Sequence, residues 1–457
     1  MISFLLSETT RRLGGRLEGV DVRYSAVGTD SRSIPSGGLF VALRGERFDG
    51  HEFVPAAVVQ GAAAAVVERQ LAVACSQIVV DDSHRALGRI GAMWRDASDA
   101  RFVALTGSNG KTTLKEMIAA ILDQRGSVLA THGNLNNDIG VPLTLTSIQD
   151  EEFAVVEMGA NHAGEIDHLS RLTRPDVAVI NNAGRAHLEG FGSIEGVARG
   201  KGEIVNGLGP DGIFVFPGDA AWTPLWRELA GTRRIVTFGT GDGTDITAAA
   251  EESLVWNDTG FVQEFAVRVP GGELQVQLAL AGLHNRRNAL AAIATAHALG
   301  IDLEAIAIGL AGMAPVPGRL CPVPSRDGLR IIDDSYNANP DSVGAAVRVL
   351  ASAPGKRVLV LGDLAELGAD SDALHAELGA SARAQGIDHL YTLGNTSRLA
   401  SDAFGAGSRH FSELGSLVDH LRTTLGSCDT VLVKGSRSAR MERVVTALCD
   451  GEERLAC

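Results

Sequence analysis

The chain has 457 residues, 45% hydrophobic and 21% charged, which is apolar material for several cores and the length of two to four domains at roughly 100–200 residues each. Its formal net charge of −14 argues against a nucleic-acid or anionic-membrane partner, which calls for a basic face. No apolar run reaches the ~18 residues of a membrane helix, Met1–Ser7 lacks the basic flank of a secretory signal, and the five scattered cysteines (Cys75, Cys321, Cys428, Cys449 and Cys457) form no C-x-x-C pair, which argues for a reducing cytoplasm and against a zinc site.

Short β-branched runs alternate with amphipathic stretches, the pattern of α/β units built on mainly parallel strands. The chain turns polar and charged at Arg95–Arg101, just before the first deeply apolar strand, Phe102–Thr106. That strand runs into Gly107-Ser108-Asn109-Gly110-Lys111-Thr112-Thr113 and then a helix over Thr113–Gln124, with Leu114, Met117, Ile118, Ile121 and Leu122 on one apolar face. A glycine turn at a helix N-terminus offers free backbone N–H groups and the positive end of the dipole to phosphate oxygens. Lys111 then belongs over the β/γ-phosphates and the Thr112 hydroxyl on Mg²⁺. Only two residues separate the glycines where the usual phosphate loop has four. The bland alternative is an ordinary β-turn-α connection with a surface lysine.

The next strand, Phe153–Glu157, places Glu157 at its C-terminal end, where parallel sheets bind ligands. Glu157 is a candidate Mg²⁺ ligand or a solvated strand-end acid. Strand Val177–Asn181 leads into Asn182-Ala183-Gly184-Arg185-Ala186-His187, so His187 belongs at the same crevice, in a catalytic or a structural role. Lys201 sits in or near a helix and by itself reads as a solvent-facing charge. Another strand covers Ile213–Phe216. Gly282-Leu283-His284-Asn285-Arg286-Arg287-Asn288 opens an Ala-rich helix, Arg287–Leu299, that stops before Gly300. Asn285 and Asn288 share one face and either read an adenine edge or serve as cap and bystander.

Four prolines (Pro315, Pro317, Pro322, Pro324) and Gly318 mark Ala314–Pro324 as an interdomain linker. The boundaries give domains 1–99, 100–314 and 315–457. After the linker, strands Leu329–Asp333, Val358–Leu361 and Thr430–Lys434 end in polar turns: Asp334-Ser335-Tyr336-Asn337-Ala338-Asn339-Pro340, Gly362-Asp363-Leu364-Ala365-Glu366, and Lys434-Gly435-Ser436-Arg437. All three turns belong on one edge of a C-terminal sheet, unless they are polar only because turns are.

Together these segments resemble the Mur ligases over nearly the whole chain. The resemblance begins with Thr29-Asp30-Ser31-Arg32, Leu39–Gly45 and Asp49-Gly50-His51, which look like the family's UDP-sugar domain. It continues through the short ATP loop, Gly133-Asn134-Leu135-Asn136-Asn137-Asp138-Ile139-Gly140, Glu157, His187, Lys201 and Gly282–Ala289 in the family's order. The turns Asp334–Pro340 and Lys434–Arg437 resemble the member that adds D-Ala-D-Ala more than its siblings. The implied fold is α/β in three domains: a central P-loop-type, mainly parallel sheet, an N-terminal UDP-sugar-binding domain and a C-terminal Rossmann-like domain. The implied activity is ATP-dependent amide-bond formation between UDP-N-acetylmuramoyl-tripeptide and D-Ala-D-Ala, in the cytoplasm, by an enzyme expected to be a monomer.

The resemblance also assigns roles. Lysines matching Lys201 are carbamylated in similar enzymes and help hold a second Mg²⁺ with the histidine matching His187. Arg319 and Asp334 match positions that touch the nucleotide when the C-terminal domain closes. Asp30, Ser31, Arg32, Asn136 and Asn137 are expected on the UDP-muramoyl substrate. Tyr336, Asn337 and Asn339 are expected on the dipeptide, with Lys434 or Arg437 on its carboxylate. One departure is Pro217-Gly218-Asp219, where relatives commonly carry an Asn before the Asp. Two alternatives differ in their marks. A sibling adding a single third residue characteristically carries Asp-Asn-Pro-Arg in its C-terminal domain, a string absent here. A nucleotide-binding switch or transport ATPase hydrolyses ATP without any amino-acid substrate.

Overall fold

The computed structural model describes residues 1–45, 48–257, 260–323 and 328–449; Pro324 of the expected linker and Cys457 lie outside them. Three main sheets follow one another along the chain. The first, among the described residues, has five strands in the order Arg16–Glu18, Ser76–Val79, Ala64–Val67, Leu39–Val41, Val27–Gly28, parallel apart from the first pair. The helix Ser83–Ala97 leads out of it; the N-cap Asp82 accepts from the Arg85 N–H at 2.8 Å.

Among the described residues the central sheet has nine strands. From one edge it runs Val128–Ala130, Phe153–Glu157, Arg101–Thr106, Val177–Ile180, Ile213–Pro217, Arg234–Gly239, Ile246–Asn257, all parallel. Two antiparallel strands, Gly260–Val269 and Gly272–Leu278, complete it. Phe153–Glu157, Val177–Ile180 and Ile213–Pro217 are buried at every position, as expected of a parallel sheet covered on both faces. One cover is the helix Lys111–Leu122, whose Leu114, Met117, Ile118, Ile121 and Leu122 are all buried. Beside it lies Leu283–Ala298, four residues longer at its start than the Arg287 onset read from sequence and alanine-rich enough to be buried almost all round. The chain leaves Arg101–Thr106 toward one side of the sheet for its next two strands and returns on the other with Val177–Ile180. The crevice beyond Thr106 is therefore a switch point, where open α/β sheets bind ligands.

The antiparallel extension was not among the expected elements, though its sequence carries period two: Phe261, Gln263, Phe265, Val267 and Val269 are buried in alternation.

The third sheet runs Cys321–Val323, Arg330–Asp334, Thr430–Lys434, Arg357–Gly362, His389–Leu393, Ser408–Phe411. All pairs but the first are parallel. Part of the expected linker is thus an edge strand, a position that tolerates Pro322.

Candidate active site

Strand ends of the central and C-terminal sheets face each other across a cleft of about 1540 Å³. That exceeds the ~300–1,000 Å³ of a single small-molecule site and leaves room for a nucleotide with a second ligand. On the central side Thr106 ends its strand, its hydroxyl donating to the Met158 carbonyl at 2.8 Å. Gly110 follows in the left-handed region (φ 76°) as the residue preceding the helix. A Cβ there would meet Asn288 Oδ1 at 2.5 Å and Asn181 Nδ2 at 2.8 Å, so glycine is required on two counts. Ser108, Asn109, Lys111, Thr112 and Thr113 line the cleft with Gly110, and Gly107 lies just behind them. Lys111 Nζ folds back onto the Gly107 carbonyl at 2.8 Å. Burial lowers its pKa; Glu157 opposes that shift and Arg319 adds to it.

Glu157 is 2% exposed. Asn136 Nδ2 donates to its Oε1 at 2.8 Å, while Oε2 is buried without a partner. A buried, half-satisfied carboxylate beside a phosphate loop fits a cation ligand. Among the described residues no three His, Cys, Asp or Glu side chains gather as a metal cage. Mg²⁺, which commonly uses one or two protein carboxylates plus phosphates and water, needs none. Asn137 also lines the cleft, but its Oδ1 is engaged by the Gly140 N–H at 2.9 Å.

His187 lines the cleft with a left-handed backbone (φ 54°). Its Nδ1 lies 3.1 Å from Oε2 of Glu366, itself at φ 59°. Two strained non-glycine residues meeting across a cleft are the sort of cost that folds retain at working sites. Burial, then Lys111, lowers the His187 pKa, and Glu366 opposes them.

Lys201 corrects the reading from sequence. It is 1% exposed, not solvent-facing. Its helix, Ile194–Gly202, packs small residues against Phe191 and Trp226. The ammonium has one long hydrogen bond, 3.4 Å to the Ala160 carbonyl, and lies 5.3 Å from the Phe191 ring centre. Burial, reinforced by Lys111, lowers its pKa to about 7. Lys201 does not line the cleft, but Ala160 does.

Asn285 and Asn288 line the cleft with their amides already engaged. Asn285 Nδ2 donates to Ala281 O at 2.9 Å, Asn288 Nδ2 to Asn285 Oδ1 at 3.1 Å, and Asn181 Nδ2 to Asn288 Oδ1 at 2.7 Å. Neither caps the helix, whose preceding residue is Gly282. His284 beside them is held neutral, its pKa lowered to about 4 by burial and then by Lys434 and Arg348.

Across the cleft, Asp334 and Lys434 end adjacent strands in register and pair at 2.7 Å. Burial pushes both toward their neutral forms, and each one's charge opposes that push on the other. Lys434 also donates to the Asn337 carbonyl at 3.0 Å. Its charge is therefore matched inside the protein. The Tyr336 ring has two guanidinium groups near its centre, Arg319 at 4.1 Å and Arg437 at 5.4 Å. Arg319 also reaches Thr112 Oγ1 at 3.5 Å. Asn337 Oδ1 accepts from the Ala338 and Arg437 N–H groups, so it stabilises the turn. Asn339 caps the helix Pro340–Ala351.

Asp30, Ser31 and Arg32 are not part of the cleft. Asp30 accepts from Arg32 at 2.7 Å, and that contact lowers its pKa to about 2.

Arg185 and Asp341 were not among the site residues expected from sequence. Arg185 Nε and its backbone N–H both donate to Asp341 at 2.9 Å, joining the central loop to the C-terminal domain. No local pattern marks such a pair, 156 residues apart. Both side chains are about a third exposed, so the pair is worth at most ~1 kcal/mol. Arg185→Ala is expected to shift the ligand-free enzyme toward an open form by up to about fivefold. Small-angle scattering would register a larger radius of gyration, and an unchanged profile would deny the pair this role.

Residues 105–296 match the model of the Mur ligase middle domain, 318–437 that of the Mur ligase glutamate ligase domain and 23–94 that of the Mur ligase family catalytic domain. The chain is 47% identical over 451 residues to the UDP-N-acetylmuramoyl-tripeptide–D-alanyl-D-alanine ligase of Escherichia coli K12, covering 98% of this chain and 99% of that one. It is 37% identical to the Bacillus subtilis enzyme of the same name, with 93% of each chain covered. A MurF crystal structure from Acinetobacter baumannii superposes with a TM-score of 0.91 at 37% identity, over 98% of this chain and 99% of that one. MurF ligase from Thermotoga maritima in complex with ADP gives 0.82 at 30%, over 93% and 96%. With family models on all three regions and relatives well above 30% identical along almost the whole chain, this protein belongs to the Mur ligase family.

Proposed function

We infer that the chain is an ATP-dependent ligase that joins D-Ala-D-Ala to UDP-N-acetylmuramoyl-tripeptide in peptidoglycan-precursor synthesis. The observation that carries this is similarity over almost the whole chain to ligases of that name, on a chain whose Ser108–Thr113 loop faces the turns of the C-terminal sheet across one cleft. Among the described residues no helix is long and apolar enough to cross a membrane; a cytoplasmic monomer remains our reading.

A carboxylate oxygen of the tripeptide attacks the γ-phosphorus of ATP, and the bond to the bridging β,γ oxygen breaks, giving an acyl phosphate and ADP. The dipeptide's amine then attacks the acyl carbon, loses a proton and expels phosphate. The protein's work is mainly positioning and charge stabilisation. The N–H groups at the start of Lys111–Leu122 face the phosphates with the positive end of the helix dipole. Lys111 and Arg319 supply local positive charge on a chain whose net charge is −14. Glu157 Oε2 and the Thr112 hydroxyl would hold Mg²⁺, with His187 and a carbamylated Lys201 at a second ion. When bound, Mg²⁺ screens the repulsion between carboxylate and triphosphate. The low pKa of Lys201 supports carbamylation, because only a neutral amine adds CO₂.

The test is phosphate release and product mass over a panel of UDP-muramoyl peptides crossed with single amino acids and dipeptides. Turnover is expected with tripeptide and D-Ala-D-Ala, and only weakly with D-Ala. A site that pairs with the dipeptide's own amide rejects an amine lacking it by roughly 10²-fold or more. Equal turnover with a single amino acid would point to a sibling activity. Steady ATP hydrolysis with no amine dependence would point to a non-ligase ATPase.

A further inference from the structure

The phosphate loop is held by asparagine side chains, one of them from the other domain. Asn109, in the middle of the loop, donates its backbone N–H to Asn182 Oδ1 at 2.9 Å. Its carbonyl accepts from Asn181 Nδ2 and Asn182 Nδ2, each at 2.9 Å. Asn181 continues the chain of amides inward through Asn288 to Asn285. The side-chain oxygen of Asn109 accepts from Asn339 Nδ2 of the C-terminal domain at 2.7 Å.

Asn339 divides its amide between two tasks. Its oxygen accepts from the Ser342 N–H at 2.9 Å and caps the helix, and Ser342 returns a bond to the Asn339 N–H at 3.0 Å. That fixes the amide plane and aims the NH₂ at the loop. Aspartate caps helices as well as asparagine but has no donor to send outward. A carboxylate here would also face the Asn109 oxygen and add negative charge beside bound phosphates. The amide is thus the group that satisfies both the cap and the loop.

We propose that Asn339 is a positioning residue for the nucleotide: its bond to Asn109 makes docking of the C-terminal domain part of what holds the phosphate loop in its ligand-ready form. This rests on the ATP reading above. It differs from the expectation that Asn339 contacts the dipeptide, since the donor that would do so is turned to the loop.

The test uses the full-length enzyme with Asn339→Asp, Asn109→Ala and the double variant. Asn339→Asp keeps the cap and loses the donor, so its unfolding midpoint without nucleotide is expected to match wild type. ADP affinity, by calorimetry, is expected to fall about tenfold in each single variant and no further in the double, as for two ends of one bond. The neutral Asn109→Ala controls for the charge introduced by Asn339→Asp. KM for ATP is expected to rise while KM for D-Ala-D-Ala holds. Wild-type ADP affinity in Asn339→Asp, additive losses in the double variant, or a change confined to KM for the dipeptide would each overturn the proposal. A wild-type enzyme that binds no ADP would overturn the nucleotide reading itself, and this proposal with it.

Discussion

Replacing Lys111 by alanine is expected to reduce ligation by at least roughly 10²–10³-fold, the scale on which a single preorganised donor to developing charge acts, with little change in the fold. Lys111 is half-buried at the foot of the loop, and its Nζ donates to the Gly107 carbonyl, an arrangement a triphosphate would replace with a stronger, charge-assisted one. Its removal relieves a desolvated cation, so the unfolding midpoint is expected to stay within roughly a few degrees of wild type. The two quantities are read separately, by phosphate release and by thermal melting. A variant that turns over normally removes Lys111 from the nucleotide site. One that is inactive because it has unfolded would contradict the stability half of the expectation.

The second large effect is expected at Lys201. Alanine there should cost roughly 10²-fold in activity if the side chain supports a metal ion, and a short carboxylic acid should restore part of it by entering the space left behind. Native mass spectrometry of the wild type should show an added CO₂ that Lys201→Ala lacks. Stability supplies an independent readout. The folded pKa of about 7 lies below the ordinary lysine value of 10.5, so between those values the unfolded chain binds more protons than the folded one. Stability from this group is therefore complete above the upper value, falls as pH drops, and is lost as pH passes below 7. Carbamylation removes the titrating amine, so added CO₂ should flatten that slope. A fully active enzyme with an unmodified Lys201, or a slope indifferent to both CO₂ and the alanine substitution, would contradict the assignment.

The features legible from sequence were those carried by local chemistry. The glycine-flanked loop, the apolar face of its helix and Glu157 at a strand end each depend on neighbours a few residues away, and periodicity and spacing expose such neighbours. The α/β class and mainly parallel sheets were legible for the same reason. What escaped depends on distant partners. The burial of Lys201 is set by Phe191 and by Trp226, whose indole N–H reaches the Ala198 carbonyl. Asn288 meets Asn181 from 107 positions away, and Lys434 meets Asp334 from 100. Aspartate and lysine at the ends of two strands are visible in sequence. That those strands are adjacent, and so cancel each other's charge, is a fact of strand order alone. The left-handed backbone of Glu366 has no signature in residue type; histidine is among the residues enriched in that region, but a loop histidine alone does not mark it.

The apolar cores do not respect the three sheets. One continuous core holds Leu39, Val66 and Trp94 from the first sheet and its exit helix together with Phe102, Val156 and Phe216 of the central sheet. Another places Phe261, on the antiparallel extension, among Leu320, Ile332 and Leu359 of the C-terminal domain, with Trp256 edge-on to Phe261 at 5.2 Å. A fragment cut at either domain boundary would therefore carry away half of a shared interior and present it to water. The central region keeps a core of its own, but excised from its neighbours it is expected to be less stable than in the full chain.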